Sequence, residues 1–196
     1  MKIYLRLSRP HQWIKQNLVA LPLISVGTRI DAYAVATTMM AVITFTLASI
    51  IVYINNDFHD RLSDQLDPIR SKRPLASGET TKKGLLTYVG FLAITLSIFN
   101  FKFSENPKWS TLLILVYLVI NLIYSKFNLK EKNLLGICLV AIGFPLRFSF
   151  GCVFADIPLS YFAIVLLMLL SLFMLSMKRY QATTRNQSLD QANQIR

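Results

Sequence analysis

Apolar and polar stretches alternate along this chain in blocks of about the length that a lipid bilayer requires. Charged loops separate six apolar runs, at roughly residues 14–28, 33–56, 84–101, 109–125, 134–154 and 158–177. A helix needs about 20 apolar residues to cross a bilayer, with a range of about 17 to 25. The pattern therefore predicts an all-α fold, a polytopic membrane helical bundle of about six transmembrane helices. Pro22 interrupts the first run, which predicts a kinked or tilted helix there.

The composition supports a membrane protein with one domain. Of the 196 residues, 54% are hydrophobic and only 16% are charged, and the mean hydropathy is +0.46. A soluble domain carries about 25% charged residues. We expect residues 1–181 to form the transmembrane domain. Residues 182–196 are polar and lack an apolar face, so we expect them to be a disordered tail.

The net charge of +11 is distributed unevenly over the loops. Of the 21 lysines and arginines, only Arg29, Lys102 and Lys108 fall in the loops on one side, and Arg147 lies within the fifth run. Basic loops face the cytoplasm, so we expect a multi-pass protein of the cell inner membrane with both termini cytoplasmic. The basic residues would meet anionic lipid head groups. We recognise no nucleic-acid-binding module, and we expect no nucleic acid as a partner.

The second apolar run leads directly into a cluster of acids. At 100° per residue, Asp57, Asp60 and Asp64 fall within an arc of about 60° on one helix face. Pro68 predicts that this helix ends at or before Asp67. Like charges on one face repel each other, so the cluster predicts a cationic partner.

A divalent cation would satisfy these carboxylates. Mg²⁺ takes oxygen ligands and is usually held by one or two carboxylates plus substrate phosphates. Arg70, Lys72 and Arg73 follow the acids, and a diphosphate donor would lie between the metal and these cations. Asn56 would add an amide oxygen to the metal ligands. The alternative is a solvated turn, in which water and the nearby bases neutralise the acids.

The motif Asn56-Asp57-x-x-Asp60-x-x-x-Asp64 resembles the first aspartate-rich motif of the UbiA prenyltransferase superfamily. Within that superfamily, further stretches resemble the decaprenyl-phosphate phosphoribosyltransferase branch. They are "RPHQWIKQNLV" at 9–19, "DPIRSKRPLASG" at 67–78, "AIGFPLRFSFG" at 141–151 and "SMKRYQ" at 176–181.

The resemblance implies an intramembrane transferase of cell-envelope biogenesis. Enzymes of that branch move a 5-phosphoribosyl group from phosphoribosyl pyrophosphate to a polyprenyl phosphate with the help of Mg²⁺. By the resemblance, the metal ligands and catalytic groups would be Asp57, Asp60 and Asp64, with Asn56. The substrate-binding residues would be Asn56, Lys15, Arg70, Lys72, Arg73, Lys130, Arg147, Lys178, Arg179 and Tyr180.

Two functional alternatives and one structural question stay open. The aspartate motif serves equally for prenyl transfer to an aromatic or quinone-precursor acceptor, because both donors are diphosphates. The family bundle has nine helices, and Gly136 stands where the family carries a second acid. A truncated, non-catalytic membrane protein is therefore the other expectation.

Arg147, within an apolar run, would either contact a lipid phosphate or anchor helix packing near Pro145.

Overall fold

The computed structural model of the protein describes residues 2–25, 27, 30–127 and 133–194. The chain begins with four short elements, namely α1 (Lys2–Leu7), a 3₁₀ helix (Pro10–Gln16), α2 (Asn17–Ala20) and α3 (Pro22–Ser25). Five long helices follow, namely α4 (Ala32–Gln65), α5 (Lys82–Phe103), α6 (Pro107–Lys126), α7 (Asn133–Phe154) and α8 (Tyr161–Gln194). A second 3₁₀ helix, Arg70–Lys72, lies between α4 and α5. Every regular element in these ranges is helical, which confirms the predicted all-α fold.

The first of the six predicted spans is not one continuous helix in the described residues. Within the described residues, the five helices α4 to α8 are long and apolar enough to cross a membrane. The first predicted span, 14–28, is instead divided among the first 3₁₀ helix, α2 and α3. Pro22 lacks an amide hydrogen and its ring disturbs the preceding turn, so a continuous helix is broken there. Residues 26 and 28 of that run lie outside the described residues.

The broken N-terminal segment nevertheless packs inside the bundle. Two contacts show that it runs antiparallel to α4. Arg9 donates a hydrogen bond to Asp57, and Gln16, later in the chain, donates to Ser49 at 2.9 Å, two turns earlier in α4. It also presses on α7, where a Cβ added to Gly151 would lie 2.0 Å from the carbonyl oxygen of Val19. The absence of a side chain at Gly151 therefore permits the close approach of α2 to α7.

Helix α4 is the central element, in contact with α5, α6 and α7. Its first turn is capped by Asp31, whose carboxylate accepts a hydrogen bond from the amide of Ala34 at 2.7 Å. At 1.5 Å per residue, its 34 residues span about 51 Å. The hydrocarbon core of a bilayer is only about 30 Å thick. The last turns of α4, which carry the acids, therefore extend beyond the apolar layer.

Aromatic side chains fill the centre of the bundle and join α4 to α6 and α7. The Phe45 ring lies 4.7 Å from the Tyr117 ring and 5.0 Å from the Phe150 ring, centroid to centroid. All three side chains are buried. Tilted aromatic pairs at such distances add specific contacts to the area that they bury. The middle of α4 is therefore held rigidly, which fixes the position of its acidic end.

Helix α7 carries a proline that α8 compensates. Pro145 has no amide hydrogen, so the carbonyl of Ala141, four residues earlier, loses its helical partner. The hydroxyl of Ser171 on α8 lies 3.2 Å from that carbonyl and 2.9 Å from the carbonyl of Met168, so the two oxygens share its single proton. The backbone of α8 continues to Gln194, through the segment that we expected to be disordered from residue 182. That segment contains no glycine or proline that would end the helix.

Candidate active site

The acidic end of α4 holds two buried carboxylates that share one arginine. Asp57 and Asp64 are 3% and 1% exposed and lie two helical turns apart. Arg73 Nη1 donates to Asp57 Oδ1 at 3.2 Å and to Asp64 Oδ2 at 2.7 Å. Arg9 also donates to Asp57 Oδ1. Buried carboxylates need such partners because desolvation penalises an unpaired charge.

The loop after α4 folds back to deliver Arg73. The carboxylate of Asp67 accepts hydrogen bonds from the amides of Ile69 and Arg70 at 2.8 and 2.9 Å. These bonds to the Arg70 and Ile69 backbone lower the pKa of Asp67, because they favour its charged form. The Gln65 side-chain amide donates to the Ala76 carbonyl at 3.1 Å. The loop is thereby closed over the end of α4.

A cavity of about 430 Å³ lies between this loop and the first 3₁₀ helix, and we call it the loop cavity. One acid, Asp57, lines it, together with five cations: Arg6, Arg9, Arg70, Lys72 and Arg73. Arg6 donates to Glu79 at 2.8 Å and to the Lys72 carbonyl, which ties α1 to the loop. Among the described lining residues, positive charge outnumbers negative charge, so the loop cavity suits a polyanion.

A second cavity, of about 380 Å³, lies among α4, α6, α7, α8 and the N-terminal segment, and we call it the bundle cavity. Its described lining contains four cations, Arg9, Lys15, Arg147 and Lys178, and no acid. Aliphatic side chains form much of the remaining wall. Such a wall suits a ligand that carries a negative head on an apolar chain.

Arg147 crosses the centre of the bundle and is only 8% exposed. Its Nε donates to Gln16 Oε1 at 3.2 Å and its Nη2 to the Tyr117 hydroxyl at 3.0 Å. A third bond goes to the Gly143 carbonyl. These contacts are those of a packing anchor between the N-terminal segment, α6 and α7. Because the side chain also lines the bundle cavity, the lipid-phosphate contact stays a prediction.

The structure divides the predicted site residues between the two cavities. Lys15, Asn56, Arg147 and Lys178 line the bundle cavity, whereas Asp57, Arg70, Lys72 and Arg73 line the loop cavity. The amide oxygen of Asn56 accepts a hydrogen bond from Ser125. Asp60 is half-buried, and Asp64 reaches the loop cavity through Arg73. Lys130 lies outside the described residues.

Lys178, Arg179 and Tyr180, which the resemblance names as substrate-binding residues, do not line one common cavity in the described part of the chain. Lys178 lines the bundle cavity, and Arg179 lines a neighbouring cavity of about 230 Å³ that Gly136 also borders. Tyr180 is 68% exposed. Successive residues of a helix point about 100° apart, so three in a row cannot face one place.

The predicted metal ligands are only partly brought together. Within the described residues, no three histidine, cysteine, aspartate or glutamate side chains are arranged around a common metal position. The chemistry of the donors nevertheless fits a divalent cation. The buried Asp64 Oδ1 accepts no hydrogen bond, and Arg70 Nη1 lies 4.0 Å from it. Asp57 and Asp64 would therefore be the residues that hold the ion, with Asp60 beside them.

Three residues with central positions were missed by the sequence reasoning. Arg9 lines both cavities, and Gln16 and Tyr117 hold Arg147. Arg9 lies in one of the stretches that carry the family resemblance, which was the available signal. Gln16 and Tyr117 fall within apolar runs and resemble ordinary interior positions in the sequence.

The chain belongs to the UbiA prenyltransferase family, whose sequence model matches residues 18–195. The match continues past residue 181, where we expected the domain to end. Enzymes of this family are generally metal-dependent. The part of the chain that the structure describes contains five long apolar helices, and the chain is a multi-pass membrane protein.

Curated relatives point to one branch of the family. The chain is 36% identical over 176 residues to the decaprenyl-phosphate phosphoribosyltransferase of Mycolicibacterium smegmatis, covering 88% of this chain and 54% of that protein. The enzyme of the same name from Mycobacterium tuberculosis is 34% identical, with 88% and 57% covered. That from Corynebacterium glutamicum is 32% identical over 174 residues, with 88% and 52% covered. The chain thus spans about half the length of the curated relatives it matches.

A solved structure shares the fold. It comes from work on digeranylgeranylglyceryl phosphate synthase in membranes and superimposes with a TM-score of 0.71. The superposition covers 97% of this chain and 65% of the other, at 18% sequence identity. The likeness at this identity concerns the arrangement of the helices.

Proposed function

We propose that this chain carries the substrate sites of a Mg²⁺-dependent transferase that moves a 5-phosphoribosyl group from phosphoribosyl pyrophosphate to a polyprenyl phosphate. The observation that carries the proposal is the pair of cationic cavities, which meet at Arg9. One cavity has buried carboxylates at its edge, and the other extends among the apolar helices. A reaction between a soluble diphosphate and a lipid phosphate needs two such sites side by side.

The donor would bind in the loop cavity. Asp57, Asp60 and Asp64 would hold Mg²⁺, which neutralises negative charge on a departing pyrophosphate. Arg70, Lys72 and Arg73 would bind its oxygens by charge-assisted hydrogen bonds. Phosphoribosyl pyrophosphate has a 5-phosphate that a prenyl diphosphate lacks, so the breadth of this cationic wall favours the sugar donor. The names of the curated relatives support the same choice.

The acceptor would bind in the bundle cavity. Its phosphate would meet Lys15 and Lys178, with the positive charge of Arg147 behind them, and its chain would lie along the aliphatic wall. The absence of acids from the described lining suits a phosphate monoester, whose charge a carboxylate would repel. Holding both substrates next to each other turns a bimolecular step into an effectively unimolecular one.

Prenyl transfer to an aromatic or quinone-precursor acceptor is the second candidate. The aliphatic wall of the bundle cavity favours it, because a prenyl donor would also need apolar surroundings. Lipid extraction after incubation of membranes with each labelled donor separates the two. We expect label from phosphoribosyl pyrophosphate to enter a polyprenyl phosphate. Label that enters lipid only from prenyl diphosphate plus an aromatic acid would favour the second candidate, and no label from either would refute transfer by this chain.

We further propose that the protein lies in the inner membrane with both termini and the loop cavity on the cytoplasmic side. The excess of basic residues in the corresponding loops supports this orientation, and anionic lipid head groups would meet them. Single cysteines at Ser71 and Asn106, in a background without Cys138 and Cys152, test it in intact cells. An impermeant reagent should label position 106 and spare position 71. The reverse pattern would overturn the orientation.

A further inference from the structure

Arg9 stands at the boundary between the loop cavity and the bundle cavity. It lines both of them, as does Gln12, whereas every other cation of the two linings belongs to one cavity. Its guanidinium donates to Asp57 Oδ1 and lies 5.8 Å from the centre of the Tyr53 ring. The group is thus located where ligands in the two cavities would come closest to each other.

The backbone at Arg9 adopts a conformation that an arginine does not favour. Its φ and ψ are 48° and 64°, in the left-handed region. The residue follows the end of α1 and precedes Pro10, which disfavours the right-handed helical conformation at the position before it. Glycine is the usual residue at a left-handed position after a helix, because it has no Cβ to clash. The backbone conformation therefore does not explain why an arginine occupies position 9, and we look for the explanation in the contacts of its side chain.

The pairing with Asp57 does not by itself require Arg9. Arg73 Nη1 already donates to the same oxygen, Asp57 Oδ1, at 3.2 Å. If Arg9 turns to another anion, the buried carboxylate keeps a cationic partner. Arg9 can therefore move its hydrogen bonds to a ligand without leaving an unpaired charge in the protein.

We propose that Arg9 is a substrate-positioning residue that binds the phosphates of donor and acceptor at the same time and so sets their separation. This proposal rests on the proposed function. The planar guanidinium carries five N–H donors in a fixed fork, so it can serve two phosphate groups on different sides. A lysine at this position would offer one compact charge without that geometry.

Separate binding measurements on the full chain in detergent test this role. The two probes are phosphoribosyl pyrophosphate with Mg²⁺ and a short-chain prenyl monophosphate that stands in for the lipid. Arg9→Gly suits the left-handed backbone and removes the whole side chain, including the guanidinium. Losing one charge-assisted bond to each ligand should weaken both affinities by about ten- to a hundredfold.

Two control variants each remove a cation from a single cavity. Lys72→Ala should lower the affinity for the donor only, since Lys72 lines the loop cavity alone. Lys178→Ala should lower the affinity for the prenyl phosphate only, since Lys178 lines the bundle cavity and not the loop cavity. Arg9→Lys keeps a charge and serves if the glycine variant fails to fold, as judged by its melting temperature. Arg9→Lys should also lower the affinity for both ligands, by a smaller factor than Arg9→Gly.

The outcomes distinguish this inference from the proposed function. If the Arg9 variants lose affinity for one ligand or for neither, while the unaltered protein binds both, the shared role of Arg9 is refuted and the function stands. If the unaltered protein binds neither probe, the proposed function itself fails and the role of Arg9 fails with it. Loss of both ligands in the Arg9 variants, with single losses in the controls, supports the inference.

Discussion

Adding one methyl group at Gly151 should disturb both the stability and the substrate sites. A Cβ at this position would lie 2.0 Å from the Val19 carbonyl oxygen and 3.0 Å from its carbonyl carbon. Real Cβ contacts essentially never fall below 3.0 Å, so α2 and α7 must separate by about 1 Å. Overpacking of a well-packed interior costs about 1–3 kcal/mol. We therefore expect Gly151→Ala to unfold at a temperature several degrees lower, at about 2–4 °C per kcal/mol.

The same shift should also weaken substrate binding, because the displaced N-terminal segment carries Arg9 and Lys15. A misplacement of about 1 Å at a substrate-positioning group can cost about a hundredfold in rate. The assay compares thermal unfolding in detergent and substrate affinity for Gly151→Ala and for Gly90→Ala. Gly90 has no heavy atom within 4 Å of its added Cβ and lies inside α5, so that variant should be at least as stable as the unaltered protein and should bind the substrates equally well. Equal melting temperatures and equal affinities in the two variants would refute the close packing of α2 on α7.

Three smaller predictions concern single contacts. Arg73→Ala should destabilise the protein by about 3–5 kcal/mol, since it leaves Asp64 buried without a bonded cation, and adding Asp64→Asn should restore part of the loss in denaturant unfolding. Asp67→Ala should speed hydrogen exchange at amides 69 and 70. Because the pKa of Asp67 is lowered, its contribution is complete above the ordinary aspartate pKa and disappears as the pH falls through the lowered value. Acid should therefore reduce the protection of these two amides, corrected for the intrinsic exchange rate at each pH, only in the unaltered protein. Ser171→Ala should cost about 1 kcal/mol, because it removes a donor that the buried Ala141 carbonyl shares with the Met168 carbonyl; an unchanged melting temperature would contradict the bond to α7.

The sequence predicted the long helices well because length and apolar composition suffice to identify a membrane span. The predicted runs 33–56 and 109–125 fall within α4 and α6, and Pro68 correctly predicted the end of α4 before Asp67. The first run failed because hydropathy averages over a window and does not register a broken backbone. Pro22 indicated a kink, but the division into three short helices depends on contacts with α4 and α7.

For the candidate site, the sequence predicted which acids share a helix face but not how other elements pack around them. The helical spacing of Asp57 and Asp64 correctly placed both on one face, and both contact Arg73. The division into two cavities was not predictable, because it depends on how the N-terminal segment packs on α4. The left-handed backbone at Arg9 was likewise not predictable. Glycine usually indicates such a conformation, and here the position is occupied by an arginine.

The most direct test of the account is the binding of phosphoribosyl pyrophosphate to the purified protein by titration calorimetry, with and without Mg²⁺. Binding should require the ion, and Asp64→Asn should reduce the affinity strongly, since Asp64 Oδ1, which accepts no hydrogen bond, would be a metal ligand. Asp31→Asn, at the opposite end of α4, is the matched control and should bind as the unaltered protein does. Equal affinity with and without Mg²⁺, in the protein and in Asp64→Asn, would contradict a metal–diphosphate site at the end of α4.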